Sequence, residues 1–246
     1  MRSIFNTIRV AWLFLWACIA TTILAIPVIA AGLLGRTGNL AFSLTRIWAY
    51  TMLAVSFVRT EIKNKARIVK GQSYIIISNH QSIYDILALV TRLGIQFRWF
   101  IKKEILKVPV FGYGLYAARN IYLDRSNTEK AIESINKGMA RLPRGASVMV
   151  FAEGTRSEDG RIQEFKKGGF MTAIMRKIPI LPVTINGSRR IAAKGSLVVK
   201  PGRIQVVVGD PIETSSYTAD TVQQLIDKTR KIIMANFDPG YMGRTD

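Results

Sequence analysis

Between Arg9 and Arg36 the chain carries no charged residue. That run, Val10 to Gly35, is 26 residues long. As one helix it would extend about 39 Å, more than the roughly 30 Å hydrocarbon core of a bilayer. Pro27 lies inside it and predicts a kink or a break. A second uncharged stretch, Ile47 to Val58, has twelve residues, too few to cross alone, and Arg46 and Arg59 bracket it. The first acidic residue is Glu61. Three arrangements satisfy this pattern: a tilted or kinked transmembrane helix followed by an interfacial one, a helical hairpin dipping into one leaflet, or a secretory leader with small residues near Ala30-Ala31-Gly32. The first run exceeds an ordinary leader and a second apolar stretch follows, so membrane attachment is the expectation for residues 1–60.

The remaining residues, 61–246, are strongly basic, with 30 Lys and Arg against 16 Asp and Glu. Such a balance calls for polyanionic partners: nucleic acid, anionic lipid or a phosphorylated substrate. The apolar N-terminus favours lipid. No zinc-finger spacing, Walker A loop or RNA-binding aromatic pattern is present, so no nucleic-acid partner is expected. The basic bulk favours the cytoplasmic face for this part. One cysteine, Cys18, and one histidine, His80, make an internal disulfide impossible and a zinc site unexpected. No metal or other cofactor is expected.

From Glu61 onward, short apolar runs alternate with amphipathic stretches. Strands are predicted at 67–69, 74–78, 97–101, 120–123, 147–151, 180–185, 197–199 and 203–208. Helices are predicted at 83–93, shortly after Lys103, and at 113–117, 128–142, 168–175 and 219–236. This is an α/β pattern: a mixed, largely parallel sheet flanked by helices, preceded by an N-terminal membrane-embedded helical segment. Ligands of such sheets gather at the carboxyl ends of the strands. His80, Arg125 and Glu153 each follow a predicted strand closely.

His80 sits between the apolar run Tyr74–Ile77 and the helix-like Ile86–Val90, with Asp85 five residues on. Imidazole is the side chain whose ordinary pKa lies near neutrality, and a carboxylate can orient it. Alone, the histidine is equally consistent with a structural bond to a backbone carbonyl. Five residues make about 1.4 helical turns, so the two side chains meet only if His80 precedes the helix and folds back over its first turn. A His80–Asp85 hydrogen bond is therefore expected. A second polar cluster, Glu153-Gly154-Thr155-Arg156-Ser157, follows the apolar strand 147–151. Its arginine fork suits phosphate oxygens, and its glycine lets backbone approach a ligand. Lys102-Lys103 and Lys166-Lys167-Gly168-Gly169 add cations that could complete one phosphate pocket.

Four segments in order resemble the motifs of the glycerolipid acyltransferases. Asn79-His80-Gln81-Ser82-Ile83-Tyr84-Asp85 matches the NHxxxxD motif, and Phe151-Ala152-Glu153-Gly154-Thr155-Arg156-Ser157 matches F-P-E-G-T-R-S. Lys102–Gly112 with Ile121-Tyr122-Leu123-Asp124-Arg125 resembles the second block, and Ile180–Ile185 the fourth. The resemblance covers roughly residues 50–215. It implies transfer of a fatty acyl group from acyl-CoA or an acyl carrier protein thioester to the free hydroxyl of 1-acyl-glycerol-3-phosphate, giving phosphatidate. It makes His80 the proton acceptor and Asp85 its orienting partner. It places Lys103, Arg125, Glu153, Gly154, Thr155 and Arg156 at the acceptor, with Arg156 on the phosphate and Lys103 and Arg125 as further phosphate contacts. Two departures stand out. Ala152 replaces the family's usual proline, and Arg119 lies where glycine is common. Both bear on substrate preference more than on proton transfer. The expected partners are therefore the bilayer, a lysophospholipid acceptor and the acyl thioester. Rival readings are another acceptor (glycerol 3-phosphate, another lysophospholipid or an aminoacyl lipid) and a non-catalytic protein that binds anionic lipid.

Overall fold

The computed structural model describes residues 2–124 and 126–242. Arg125, expected near the acceptor, lies outside the described residues. The charge-free run forms one helix, α1 (Arg2–Leu34, 33 residues), which continues through Pro27. The expected break is absent: an internal proline removes one backbone hydrogen bond, and the remaining turns hold. Helix α1 is long and apolar enough to cross a membrane, and most of its apolar stretch is not covered by the protein. A turn ending at Gly38, in the left-handed region at φ 68°, reverses the chain into α2 (Asn39–Val55).

Helix α2 runs back along α1. The Trp48 indole donates to Thr21 Oγ1 at 3.1 Å, and Arg9 donates to the Ser56 carbonyl at 2.9 Å. Its other face belongs to the α/β core. Phe42, Ala49 and Leu53 share one buried cluster with Tyr84, Leu87 and Ile76. Tyr50 donates to the Thr91 carbonyl and Arg46 to that of Ile95. Packing therefore sets no boundary at residue 60, and β1 (Val58–Lys63) begins before it.

Seven strands form one sheet in the order β1-β7-β6-β2-β5-β3-β4. They are β1, β2 (Ile75–Ser78), β3 (Phe97–Lys102), β4 (Ile121–Leu123), β5 (Ser147–Phe151), β6 (Ile180–Asn186) and β7 (Gly202–Val208). Pairing is parallel except between β6 and β7, so the sheet is mixed and largely parallel, as the alternation predicts. Ile76 stands opposite Met149 and Leu181 and faces α2 and α3 (Tyr84–Arg92). Its neighbours Ile75 and Ile77 face the opposite layer with Phe170, Ala173, Leu225 and Ile226. That layer contains α5 (Thr128–Ala140), α6 (Lys167–Arg176) and α8 (Val222–Ala235). Two short helices complete the fold, α4 (Phe111–Ala117) and α7 (Ser188–Ile191).

The predicted strands at 67–69 and 197–199 do not form. Residues 65–67 make a 3-10 turn instead and Leu197 is exposed, while Ile68 and Val199 pack against the core from outside the sheet. Strand β1 went unread although Val58, Thr60 and Ile62 alternate with Arg59, Glu61 and Lys63, because Val58 also ends the preceding uncharged stretch.

Arg98 on β3 joins the hairpin to the sheet. It is fully buried. Its guanidinium donates to the Thr37 carbonyl at 2.9 Å, Asn39 Oδ1 at 2.6 Å, Gln96 Oε1 at 3.1 Å and its neighbour's carbonyl at 2.9 Å. It also lies over the Phe42 ring at 5.3 Å. Burial pulls its pKa down to about 10, still far above neutrality. Arg98→Ala would leave these acceptors without their donor and open a cavity, so it is expected to cost about 2–5 kcal/mol. Denaturation of the detergent-solubilised protein checks this.

Candidate active site

The carboxyl end of β2 delivers Ser78-Asn79-His80, and the chain turns at once into α3. Asn79 fixes the turn. Its side chain acts as an extra strand residue, accepting from Ile185 N at 2.8 Å and donating to Ile185 O at 3.0 Å. Ser82 Oγ donates to the Ala192 carbonyl at 2.7 Å and ties the same turn to the segment after β6.

Asp85, in the first turn of α3, points back into this loop and is fully buried. Its Oδ2 accepts from Gln81 N at 2.7 Å and Ser82 N at 2.8 Å, and lies 2.8 Å from His80 Nδ1. The hydrogen bond expected between His80 and Asp85 is present. It arises because the histidine precedes the helix and the loop wraps over the first turn. With backbone N–H groups already aimed at Oδ2, Nδ1 is the donor, and neutral imidazole keeps its lone pair on Nε2. The His80 ring also stacks on Phe151, with centroids 3.6 Å apart and planes 5° apart. Phe151 in turn stacks on Trp99 at 5.5 Å. The imidazole is thus held in its plane by Asp85 and over its face by an aromatic pair.

Glu153 follows β5 and braces two loops. Oε1 accepts from His80 N at 2.7 Å and Oε2 from Gln163 N at 2.9 Å. Ser157 N donates to the His80 carbonyl at 2.8 Å. The 153–157 segment and the histidine loop therefore interlock through backbone. Glu153 was expected at the acceptor, but with both oxygens on backbone amides and 4% exposure it is placed as a brace. Gly154 adopts φ 75°, where a side chain would be strained and would press on the Lys166 stem. Thr155 is exposed beside it. Arg156 is half-buried and makes no hydrogen bond or ion pair among the described residues. Lys103 lies at the end of β3, where its ammonium pairs with Asp124 Oδ2 at 2.6 Å. Its hydrogen bond holds the Asp124 carboxyl well below the usual carboxylate range and pushes the lysine up. Lys103 is thus presented at the end of β3, the strand beside β5, and is engaged by Asp124.

Beside the dyad lies an apolar cavity of about 300 Å³. Its walls include Ile83 and Tyr84 from the turn after His80, Trp99 from the aromatic stack, Phe42 and Trp48 from α2, and Val28 from α1. Both hairpin helices therefore contribute to the wall. Sequence reasoning missed the ring partner Phe151 and the strut Asn79, although both stand inside the two polar motifs. Their signal was position: one residue before the histidine, and the last residue of β5.

A family model described as Acyltransferase matches residues 59–186, just over half of the chain. Chloroplastic 1-acyl-sn-glycerol-3-phosphate acyltransferase BAT2 of Brassica napus is 31% identical over 171 residues, 69% of this chain and 49% of the relative. The 1-acyl-sn-glycerol-3-phosphate acyltransferase alpha of Mus musculus is 31% identical over 182 residues, 73% and 64% of the two chains. This chain spans about half the length of the plant relative. The crystal structure of the 1-acyl-sn-glycerophosphate acyltransferase PlsC from Thermotoga maritima has the same fold, with a TM-score of 0.79 at 20% identity over 96% of this chain and 97% of that one.

Burial, the first cause, raises the Glu153 carboxyl above the ordinary 4.5, against the pull of the Gln163 and His80 amides. The folded protein then holds this proton to higher pH than the unfolded chain does. Stability linked to Glu153 is full below about pH 4.5 and is lost as pH rises through the folded value. An amide offers one acceptor oxygen in place of two, so Glu153→Gln is expected to lose about 1–3 kcal/mol and to flatten this slope. Denaturation across a pH series reads both.

Proposed function

This chain belongs to the acyltransferase family, and we propose that it moves a fatty acyl group from a thioester to the free hydroxyl of 1-acyl-glycerol-3-phosphate, giving phosphatidate. The observation that carries this is the His80–Asp85 pair, with Nδ1 held on Asp85 Oδ2 next to an apolar cavity. Nε2 takes the proton of the acceptor hydroxyl as its oxygen attacks the thioester carbonyl. The imidazolium that forms is stabilised by Asp85, whose Oδ2 is already fixed by two amides. Collapse of the tetrahedral centre makes the ester, breaks the C–S bond and returns the proton to the departing thiolate. No acyl-enzyme is required, and Ser82 has its hydroxyl committed to the Ala192 carbonyl. The donor is acyl-CoA or acyl carrier protein, with the chain in the apolar cavity. The unpaired Arg156 guanidinium suits the acceptor's phosphomonoester, and Lys103 gains that role once the phosphate competes with Asp124. The names of the relatives support this acceptor.

The reading extends to the membrane. Helix α2 is bonded to the α/β domain along its length, and the hairpin turn is bonded to Arg98. A hairpin held at both ends by one domain enters a single leaflet, with the basic domain on the cytoplasmic side.

Purified protein given acyl-CoA and labelled lysophosphatidate should form phosphatidate. His80→Ala should lower kcat about 10³- to 10⁴-fold, and Asp85→Asn by a similar order, with acceptor KM little changed. Phosphatidate formation unaffected by His80→Ala rejects the mechanism. Cys18 is the sole cysteine and is exposed on α1. An environment-sensitive fluorophore there should shift to the blue when vesicles are added. Quenchers confined to the outer leaflet should reach it, and quenchers confined to the inner leaflet should not.

A further inference from the structure

Helix α4 is a thin partition. One face, Phe111, Gly114, Leu115 and Ala118, lines the cavity beside the dyad. The other, with Gly112, Tyr113, Tyr116 and Ala117, lines a second, outer groove of about 520 Å³. The far wall of that groove is the end of α1, Ile29, Gly32 and Leu33. Gly32 makes the groove possible, because a Cβ there would run into Ala117. The floor is apolar and continuous with the uncovered face of α1, where Ile26, Leu33 and Leu34 are 70–88% exposed.

The rim is cationic. Arg119 closes the groove, is exposed, and its side chain makes no hydrogen bond or ion pair among the described residues. Its stem lies against the hairpin turn at Gly38, two residues after Arg36, which is equally exposed and unpaired. Arg119 holds φ 58°, a left-handed conformation that costs a long side chain stability and glycine none. The residue kept at this unfavourable backbone angle is a long cation lining an apolar groove. Two exposed tyrosines beside it have the amphipathic form of side chains that settle at headgroup level.

An apolar groove with an unpaired cation at its mouth fits an anion that carries a hydrocarbon tail. We propose that the groove between α1 and α4 binds an anionic glycerophospholipid of the bilayer, its phosphate on Arg119 and one chain lying across Gly32 and Ala117. The site is separated from the dyad by α4, so it holds a resident lipid and no reacting one. It couples the charge of the membrane to the wall of the acyl cavity through a helix of seven residues. This rests on membrane attachment of the hairpin.

The test uses the full chain in an uncharged detergent, with equal amounts of phosphatidylglycerol and phosphatidylcholine and neither thioester nor acceptor. Native mass spectrometry counts the retained lipid. The wild type should keep phosphatidylglycerol in preference. Arg119→Gly should lower that preference about tenfold or more while leaving the melting temperature equal or higher, since glycine accepts the backbone angle. Arg119→Lys should fall between the two. Leu33→Trp fills the groove from its open side and should abolish retention with Arg119 in place. Equal retention of both lipids by the wild type, or an undiminished preference in Arg119→Gly, overturns the proposal. In a separate sample given labelled lysophosphatidate, loss of its binding in Leu33→Trp with phosphatidylglycerol retention unchanged also overturns it, since the groove would then be an acceptor site. Vesicle association read at Cys18 separates the two levels: lost preference with retained association is the expected pattern for Arg119→Gly, and a wild type that does not associate removes the membrane premise itself.

Discussion

A single buried carboxylate oxygen organises the catalytic end of this protein. Asp85 Oδ2 takes the Gln81 and Ser82 amides and the His80 ring nitrogen together. The other oxygen of that carboxylate, Oδ1, is buried with no hydrogen-bond partner among the described residues. The negative charge is therefore answered on one side only, where the histidine is. Backbone and side chain are set by the same atom, so the loop cannot relax without releasing the imidazole. Asn79, Ser82 and Glu153 then lock that loop to β6, to the segment after it, and to the 153–163 loop. The His80–Asp85 pair is thus held in place by main-chain groups.

Much of this was legible in the residues. Strand β5 and helix α5 begin where the pattern of apolar runs places them, and the structure caps α5 with Asn127, whose Oδ1 accepts from Lys130 N at 2.8 Å. The histidine and aspartate were legible as a pair because five residues can bring them together in only one way. Glu153 was harder. A glutamate in a polar loop reads as a ligand contact, and nothing in its neighbours announces that both oxygens face amides from loops 73 and 10 residues away. Phe151 was read only as strand, since alternation tells which face a side chain takes and not which ring it meets. Helix α2 was read as anchor because its composition is apolar; composition does not distinguish lipid from the underside of a sheet as the thing that covers it.

Arg98 and Arg119 show two uses of one side chain. Arg98 is desolvated, and both terminal nitrogens of its guanidinium donate to neutral acceptors, which suits a joint. Arg119 is exposed, strained and unanswered, which suits a contact still to be made. Both lie at the same place, the turn between the hairpin helices, one beneath it and one across it.

Helix α2 has one face on α1 and the other in the main core, where Phe42, Ala49 and Leu53 meet the sheet. The hairpin is therefore not a tether that could be cut away to release a soluble catalyst. Truncation at residue 60 would remove β1's first residues, the α2 part of the cover over one face of the sheet, and part of the cavity wall, leaving α3 to cover the rest. The helices that carry the uncovered apolar face and the sheet that presents His80 share one core, and neither keeps its packing without the other.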